Sequence, residues 1–233
     1  IAVARTTGAN AGGVAEMALT LILACRRELR PNRFRCIDTG RWDKYISNET
    51  VGATIGILGF GAIGRLLAKL MLGLGCTVIA YDPYPNEALA KEMGVRLVDL
   101  DELFTASDAI SVHVPYTPDT HHMVNAARLA QMKPSAVIVN TARGGIIDED
   151  ALYDALKAGQ IRGAGLDVYA VEPLPADSKL LELDNLILSP HFSSQSVESL
   201  WNTYKMAIDI TADFYAGKDC PHILNPDYKA VKP

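Results

Sequence analysis

The sequence predicts an α/β fold built on a doubly wound parallel sheet, and three observations carry that expectation. From Thr54 onward, short β-branched runs alternate with segments of helical periodicity. Those runs are almost continuously apolar, the pattern of strands covered by helices on both faces. Between the first run and the helix after it stands Gly59-x-Gly61-x-x-Gly64, a spacing that gains meaning only when a strand enters it and a helix leaves it.

Taken in order, the chain opens on Ile1-Ala2-Val3-Ala4, which reads as an interior strand without an initiator methionine. The sequence is therefore expected to begin partway through a longer protein. In residues 13–30, Val14, Ala15, Ala18, Leu19, Ile22 and Leu23 recur at helical spacing. The apolar stretch 17–25 is interrupted by Thr20 and closed by Arg26-Arg27-Glu28, so a packed helix fits it better than a membrane span. Residues 31–49 are polar and irregular, an arm laid over a surface with Trp42 and Tyr45 as apolar anchors. Strands are predicted at 54–58, 77–81, 95–98, 109–114, 136–140, 163–168 and 186–189, with helices at 63–74, 86–92, 99–106, 125–131 and 148–158. Gly75, Gly94, Pro134 and Gly159 punctuate the joins. Residues 195–215 form a long helix whose Val197, Leu200, Trp201, Tyr204, Ile208 and Phe214 are candidates for burial, and a Pro-containing tail follows.

The first strand–helix–strand unit points to a ligand. Gly59 permits the tight turn, Gly61 lets the backbone approach a pyrophosphate, and Gly64 lets the helix pack on the strand. The amides of Ala62 and Ile63 then open the helix toward the phosphates. The second strand delivers Asp82, a carboxylate placed to accept from both ribose hydroxyls of NAD and to repel the extra phosphate of NADP. No Lys or Arg lies in Pro83-Tyr84-Pro85-Asn86 to neutralise that phosphate, so NAD is the expected cofactor. An acid at a strand end is also a common helix cap, but the upstream glycines favour the ribose role.

Composition narrows the class further. A formal charge of −5 and a 49% hydrophobic content over 233 residues suit one well-buried core and argue against a nucleic-acid surface. Cys25, Cys36, Cys76 and Cys220 share no CxxC spacing and no His-rich neighbourhood, so no metal site is expected. Reduced thiols, no membrane-length apolar run and no signal peptide make the cytoplasm the expected location.

Three loops fall at carboxyl ends of predicted strands, where doubly wound sheets bind ligands. They carry Thr141-Ala142-Arg143-Gly144-Gly145, Asp167-Val168-Tyr169-Ala170-Val171-Glu172-Pro173 and Ser189-Pro190-His191. Taken singly, an Arg after a strand is usually a surface ion-pair partner, a Glu before Pro a loop acid, and a lone His structural. All three on one sheet edge outweigh those readings.

These residues resemble the D-isomer-specific 2-hydroxyacid dehydrogenases, which include D-3-phosphoglycerate dehydrogenases and glyoxylate/hydroxypyruvate reductases. Val14-Ala15-Glu16, Gly40-Arg41-Trp42, His113-Val114-Pro115-Tyr116-Thr117 and the three loops carry the likeness across nearly the whole chain. The resemblance implies a Rossmann-type NAD-binding domain with remnants of a second, flavodoxin-like substrate domain. Residues 1–12 would be a crossover from that domain, 13–190 the NAD-binding domain with its dimerisation helix and arm, and 191–233 the returning helix and tail. It implies that Arg143 binds the carboxylate of a small 2-oxo or D-2-hydroxy acid, that His191 is the acid/base, and that Glu172 orients the imidazole and favours its protonated form. Asp167 would contact the nicotinamide carboxamide, with Val114, Thr141 and Ala142 also on the cofactor. A homodimer through the helix at 13–30 and the arm is implied as well.

A D-3-phosphoglycerate dehydrogenase-like activity comes first on this reading, with glyoxylate or hydroxypyruvate reduction next. A non-catalytic NAD-binding corepressor and a truncated dimerising module are the rivals from other classes. Family members carry a further N-terminal substrate domain, so a chain of this extent alone is expected to bind NAD with little turnover. Phe192-Ser193-Ser194-Gln195 and Thr7 depart from the common family pattern and bear on substrate choice.

Overall fold

The structure is a computed structural model, and it describes residues 1–43 and 46–229. Seven parallel strands form one sheet: β1 (Thr54–Leu58), β2 (Thr77–Tyr81), β3 (Arg96–Leu97), β4 (Ala109–Val112), β5 (Val137–Asn140), β6 (Gly163–Leu166) and β7 (Leu186–Leu188). Their spatial order is β3-β2-β1-β4-β5-β6-β7, so the chain runs outward from β1 in one direction and then crosses back to build the other half. Register fixes the centre: Ile57 pairs with Ala80 of β2 on one side and with Ser111 of β4 on the other.

Alternation along each strand divides the core into two. Ile55 and Ile57 of β1 and Val137 and Val139 of β5 pack with Ile22, Leu67 and Met71 on one face. That face is covered by α1 (Ala11–Arg26) and α3 (Ala62–Gly73). Leu58 and Ile138 point to the other face, among Phe104, Leu129 and Leu152. There the cover comes from α5 (Leu100–Ala106), α6 (Ala126–Gln131) and α7 (Glu149–Lys157), while the short α4 (Glu87–Glu92) abuts β3. Helices α4 to α7 each start under a side-chain cap, from Asn86, Asp99, Asn125 and Asp148. Helix α3 has none. Among the described residues, no helix is long and apolar enough to cross a membrane.

The predicted strands all form, those at 54–58 and 77–81 with the expected bounds and the other five trimmed at their ends. The edge strand expected at 95–98 keeps only Arg96 and Leu97, because β2 alone is available to pair with it. The helix read over 13–30 ends at Arg26 instead. Glu28 turns into the left-handed region (φ 49°), and the chain resumes as α2 (Leu29–Asn32) and a π-helical turn, Arg33–Ile37. At the stop the Arg26 carbonyl accepts from Asn48 N at 3.0 Å instead of from a later turn of the helix, while the buried Arg26 guanidinium donates to Asp108 O at 2.9 Å and to Glu49 O at 2.5 Å. The arm is thus partly helical. Its anchor Trp42 is 82% exposed instead of buried, and Tyr45 lies outside the described residues.

Two further expectations are corrected. Ile1–Ala4 is not an interior strand: Ile1 is fully exposed, and Ala4 makes a lone antiparallel bridge to Ile223 of the tail. The long helix, α8 (Val197–Tyr215), packs on α1 but buries only Ser199. Val197, Leu200, Trp201, Tyr204 and Ile208 face water, and Phe214 is half-buried. The apolar pattern of α8 is real, and of its residues Phe214 meets the ring of Tyr228 in the tail while the other five stay exposed.

Candidate active site

The crevice begins where β1 bends into α3. Gly59 adopts φ +103°, and a Cβ there would lie 2.7 Å from the His113 carbonyl carbon and the Val114 nitrogen, so only glycine lets these two loops touch. A Cβ on Gly64 would meet Gly59 O at 2.2 Å, which is the close helix–strand packing expected of it. Gly61 is the extended N-cap of α3, and the space beside its Cα is open. With no side-chain cap, the first amides of α3, from Ala62 and Ile63, are directed outward at the positive end of the helix. Asp82 follows the end of β2 and braces the same turn, accepting from Phe60 N at 2.8 Å and from Tyr84 N at 2.9 Å. Each carboxylate oxygen keeps a lone pair for another donor.

Beside this turn lies a cavity of about 830 Å³ at the carboxyl edge of the sheet. Ile63, Val114, Thr141, Ala142 and Asp167 line it, together with Arg143, Glu172 and His191. Eight of the residues singled out from sequence therefore share one cavity, while Gly59, Gly61, Ala62, Gly64 and Asp82 form the adjoining turn. Thr141 Oγ1 and His113 Nδ1 are buried there without a hydrogen-bond partner. Burial pushes the His113 pKa down from 6.5 to about 4, so the ring is neutral, with Nε2 2.8 Å from Ser111 Oγ. Unpartnered polar atoms, an uncapped helix start and the Asp82 carboxylate fit a polar ligand with phosphate and ribose parts.

The reactive end is ordered by loop hydrogen bonds. Asn140 Nδ2 donates to Arg143 O at 2.9 Å and Asn140 Oδ1 accepts from Ala142 N at 3.0 Å, fixing the turn that presents Arg143. The exposed guanidinium donates within the chain to Ala142 O at 2.6 Å. His191 Nδ1 lies 2.6 Å from Glu172 Oε2, and Glu172 Oε1 accepts from Tyr169 N at 3.0 Å. An ionised carboxylate only accepts, so the Nδ1 proton belongs to this bond and Nε2 remains for proton exchange. Burial raises the Glu172 pKa, but the His191 hydrogen bond, the Tyr169 amide and the imidazolium charge outweigh it and hold the carboxyl below its usual range.

His191 itself sits in the left-handed region, at φ 51°. Fully buried Asp167 holds the loop around it. Its Oδ1 accepts from Ser189 Oγ at 2.6 Å and Phe192 N at 3.0 Å; its Oδ2 accepts from Ser193 N at 2.9 Å and also from Ser193 Oγ. Four donors fill the four lone-pair directions of that carboxylate. Tyr169 adds a second tie, its hydroxyl donating to Ser189 O at 2.8 Å.

The profile of the D-isomer specific 2-hydroxyacid dehydrogenases, NAD-binding domain, matches residues 19–193. The chain belongs to that family. It is 45% identical over 204 residues to the hydroxypyruvate reductase of Thermotoga maritima, covering 85% of this chain and 65% of that protein. To the D-3-phosphoglycerate dehydrogenase of Archaeoglobus fulgidus it is 41% identical over 204 residues, 87% of this chain but 38% of the relative. The NAD-complexed D-isomer specific 2-hydroxyacid dehydrogenase of Lactobacillus delbrueckii ssp. bulgaricus superposes with a TM-score of 0.89 at 28% identity, over 97% of this chain and 72% of that one. The chain thus spans 38–65% of the length of these two sequence relatives.

Several of its cavity residues were not anticipated as site residues. Asn10 and Val14 reach the cavity from the start of α1, and Tyr116, Tyr169, Ser193 and Ser194 from loops. The GxGxxG spacing gives no signal for them, because their places depend on loops that meet only in the folded chain.

Proposed function

We propose that this chain is the cofactor-binding part of an NAD-dependent oxidoreductase that interconverts a 2-oxo acid and a D-2-hydroxy acid. The observation that carries the reading is the 2.6 Å pairing of His191 with Glu172 in the cavity that Arg143 also lines. Arg143 binds the substrate carboxylate and polarises the adjacent carbonyl, a planar, bidentate task suited to guanidinium. Glu172 holds Nδ1, so Nε2 of His191 gives its proton to the carbonyl oxygen in reduction and takes it back in oxidation. NADH, when bound, supplies the hydride to the carbonyl carbon. Gly59, Gly61, Ala62, Ile63 and Gly64 would cradle the pyrophosphate, Asp82 the ribose, and Val114, Thr141 and Ala142 the nicotinamide side. For Asp167 to reach the carboxamide it must yield one of its four donors.

The substrate named first is D-3-phosphoglycerate. Hydroxypyruvate or glyoxylate is the second reading, favoured by the 45% identity to a hydroxypyruvate reductase. A cytoplasmic homodimer is part of the proposal. Exposed Leu29, Phe34, Ile37, Trp42 and Ile46 in and after α2 supply an apolar surface for it. The test is His191→Gln in the full-length protein that contains this sequence. Reduction of 2-oxo acids is expected to fall by about 10³-fold or more, with NADH affinity within twofold of the parent. Reduction persisting at the parent rate would refute the mechanism.

A further inference from the structure

One carboxylate beside the site has no part in the mechanism above. Glu149, the first residue of α7, turns back from its helix, and its Oε1 accepts from Ala170 N at 2.6 Å. The preceding amide of the same loop, Tyr169 N, donates to Glu172 Oε1 at 3.0 Å, and Glu172 Oε2 meets His191 Nδ1 at 2.6 Å. Two successive peptide N–H groups are therefore each taken by a glutamate, one from α7 and one from the dyad. The Asp167–Glu172 segment is irregular and has no ladder of its own to fix it. A carboxylate anchored at a helix start supplies a fixed point one residue from the amide that aims Glu172.

We propose that Glu149 is a positioning residue for the Glu172–His191 pair, acting through the Tyr169–Ala170 amides. The inference rests on the acid/base reading of His191 given above.

The charges around Glu149 come from three directions. Asp148 and Asp150 flank it on α7, and Glu172 faces it from the loop. Lys179 pairs with Asp150 at 2.7 Å, and His122 Nδ1 lies 3.7 Å from Asp148 Oδ2. Burial pushes its carboxyl above the usual range, the Ala170 amide draws it back, and the three nearby acids add to the rise.

The experiment compares Glu149→Gln, Glu149→Ala and His191→Gln in the full-length protein, reading kcat and KM for a 2-oxo acid, NADH affinity and thermal stability. Glu149→Gln keeps an acceptor for Ala170 N and loses the charge; Glu149→Ala loses both. The expected result is a fall of about tenfold in kcat for the alanine variant, with NADH affinity within twofold of the parent. The glutamine variant is expected to recover at least half of the parental kcat, with KM for the 2-oxo acid within twofold of the parent. A parental kcat in both variants overturns the proposal. So does an equal loss of kcat, NADH affinity and thermal stability in both, which would mark a fold-wide effect. Unchanged activity in His191→Gln sinks the acid/base reading itself, whatever the Glu149 variants do.

Discussion

Replacing Asp167 with Asn tests whether the loop that presents His191 is held by one carboxylate. Each oxygen of Asp167 accepts from one hydroxyl and one backbone amide: Ser189 Oγ with Phe192 N, and Ser193 Oγ with Ser193 N. Asparagine keeps one such oxygen and puts an NH₂ in the other position. The hydroxyl facing that NH₂ can rotate and accept, but the backbone N–H cannot. Whichever way the amide lies, one buried N–H, from Phe192 or Ser193, is left facing a donor. Losing a charge-assisted hydrogen bond and stranding a buried donor costs about 3 kcal/mol together. For a chain of this length that lowers Tm by about 6–12 °C. The assay is urea and thermal unfolding of this chain followed by far-UV circular dichroism, with the midpoint moving at constant slope. A loss below about 0.5 kcal/mol would refute the clamp and return Asp167 to a role toward the ligand alone.

Two other outcomes follow from the cofactor side of the cavity. Asp82→Asn is expected to weaken NADH binding by about tenfold and to narrow the preference over NADPH, measured by titrating the fluorescence of each nucleotide; an unchanged NADH/NADPH ratio, or a parent that prefers NADPH, would contradict the ribose assignment. His113, whose pKa falls from the ordinary 6.5 to about 4 in the folded chain, takes up a proton on unfolding. Its contribution to stability is complete above about pH 6.5 and is lost progressively as pH falls toward about 4, so His113→Gln should flatten stability against pH across that window. Parallel curves for the parent and variant would mean the ring is hydrated in the fold.

The sheet was legible because the information lies in contiguous runs. Thr54–Leu58 and Thr77–Tyr81 form as read, and the glycines between them meet the steric demands expected of Gly59 and Gly64. Arg143, Glu172 and His191 were legible for a related reason: a parallel sheet sends every strand's carboxyl end to one edge, so loop position along the chain gives position in space. What the sequence hid depends on distant partners. Helix α1 stops at Arg26, whose carbonyl accepts from Asn48 N, 22 residues on. Glu149 reads as an ordinary acid at a helix start, and only the Ala170 amide, 21 residues on, shows its second use. Asp167 was assigned toward the ligand by resemblance, and its four intramolecular donors lie 22 to 26 residues away in an irregular loop. On α8 the amphipathic pattern was clear, but a pattern tells which side is apolar and not whether this chain covers it.

The placement of the two tryptophans has an optical consequence. Trp42 in the arm is 82% exposed and Trp201 on α8 is 69% exposed, and the sequence contains no other indole. Both chromophores face water in the single folded chain, so melting of the sheet would barely change the colour of an unpartnered copy, whereas the proposed dimer would cover Trp42. Coverage of either surface by another polypeptide would shift its emission to the blue, and Trp42→Phe and Trp201→Phe would tell the two apart. Intrinsic emission here reports who sits on the outside of the molecule and is nearly blind to whether the inside is intact.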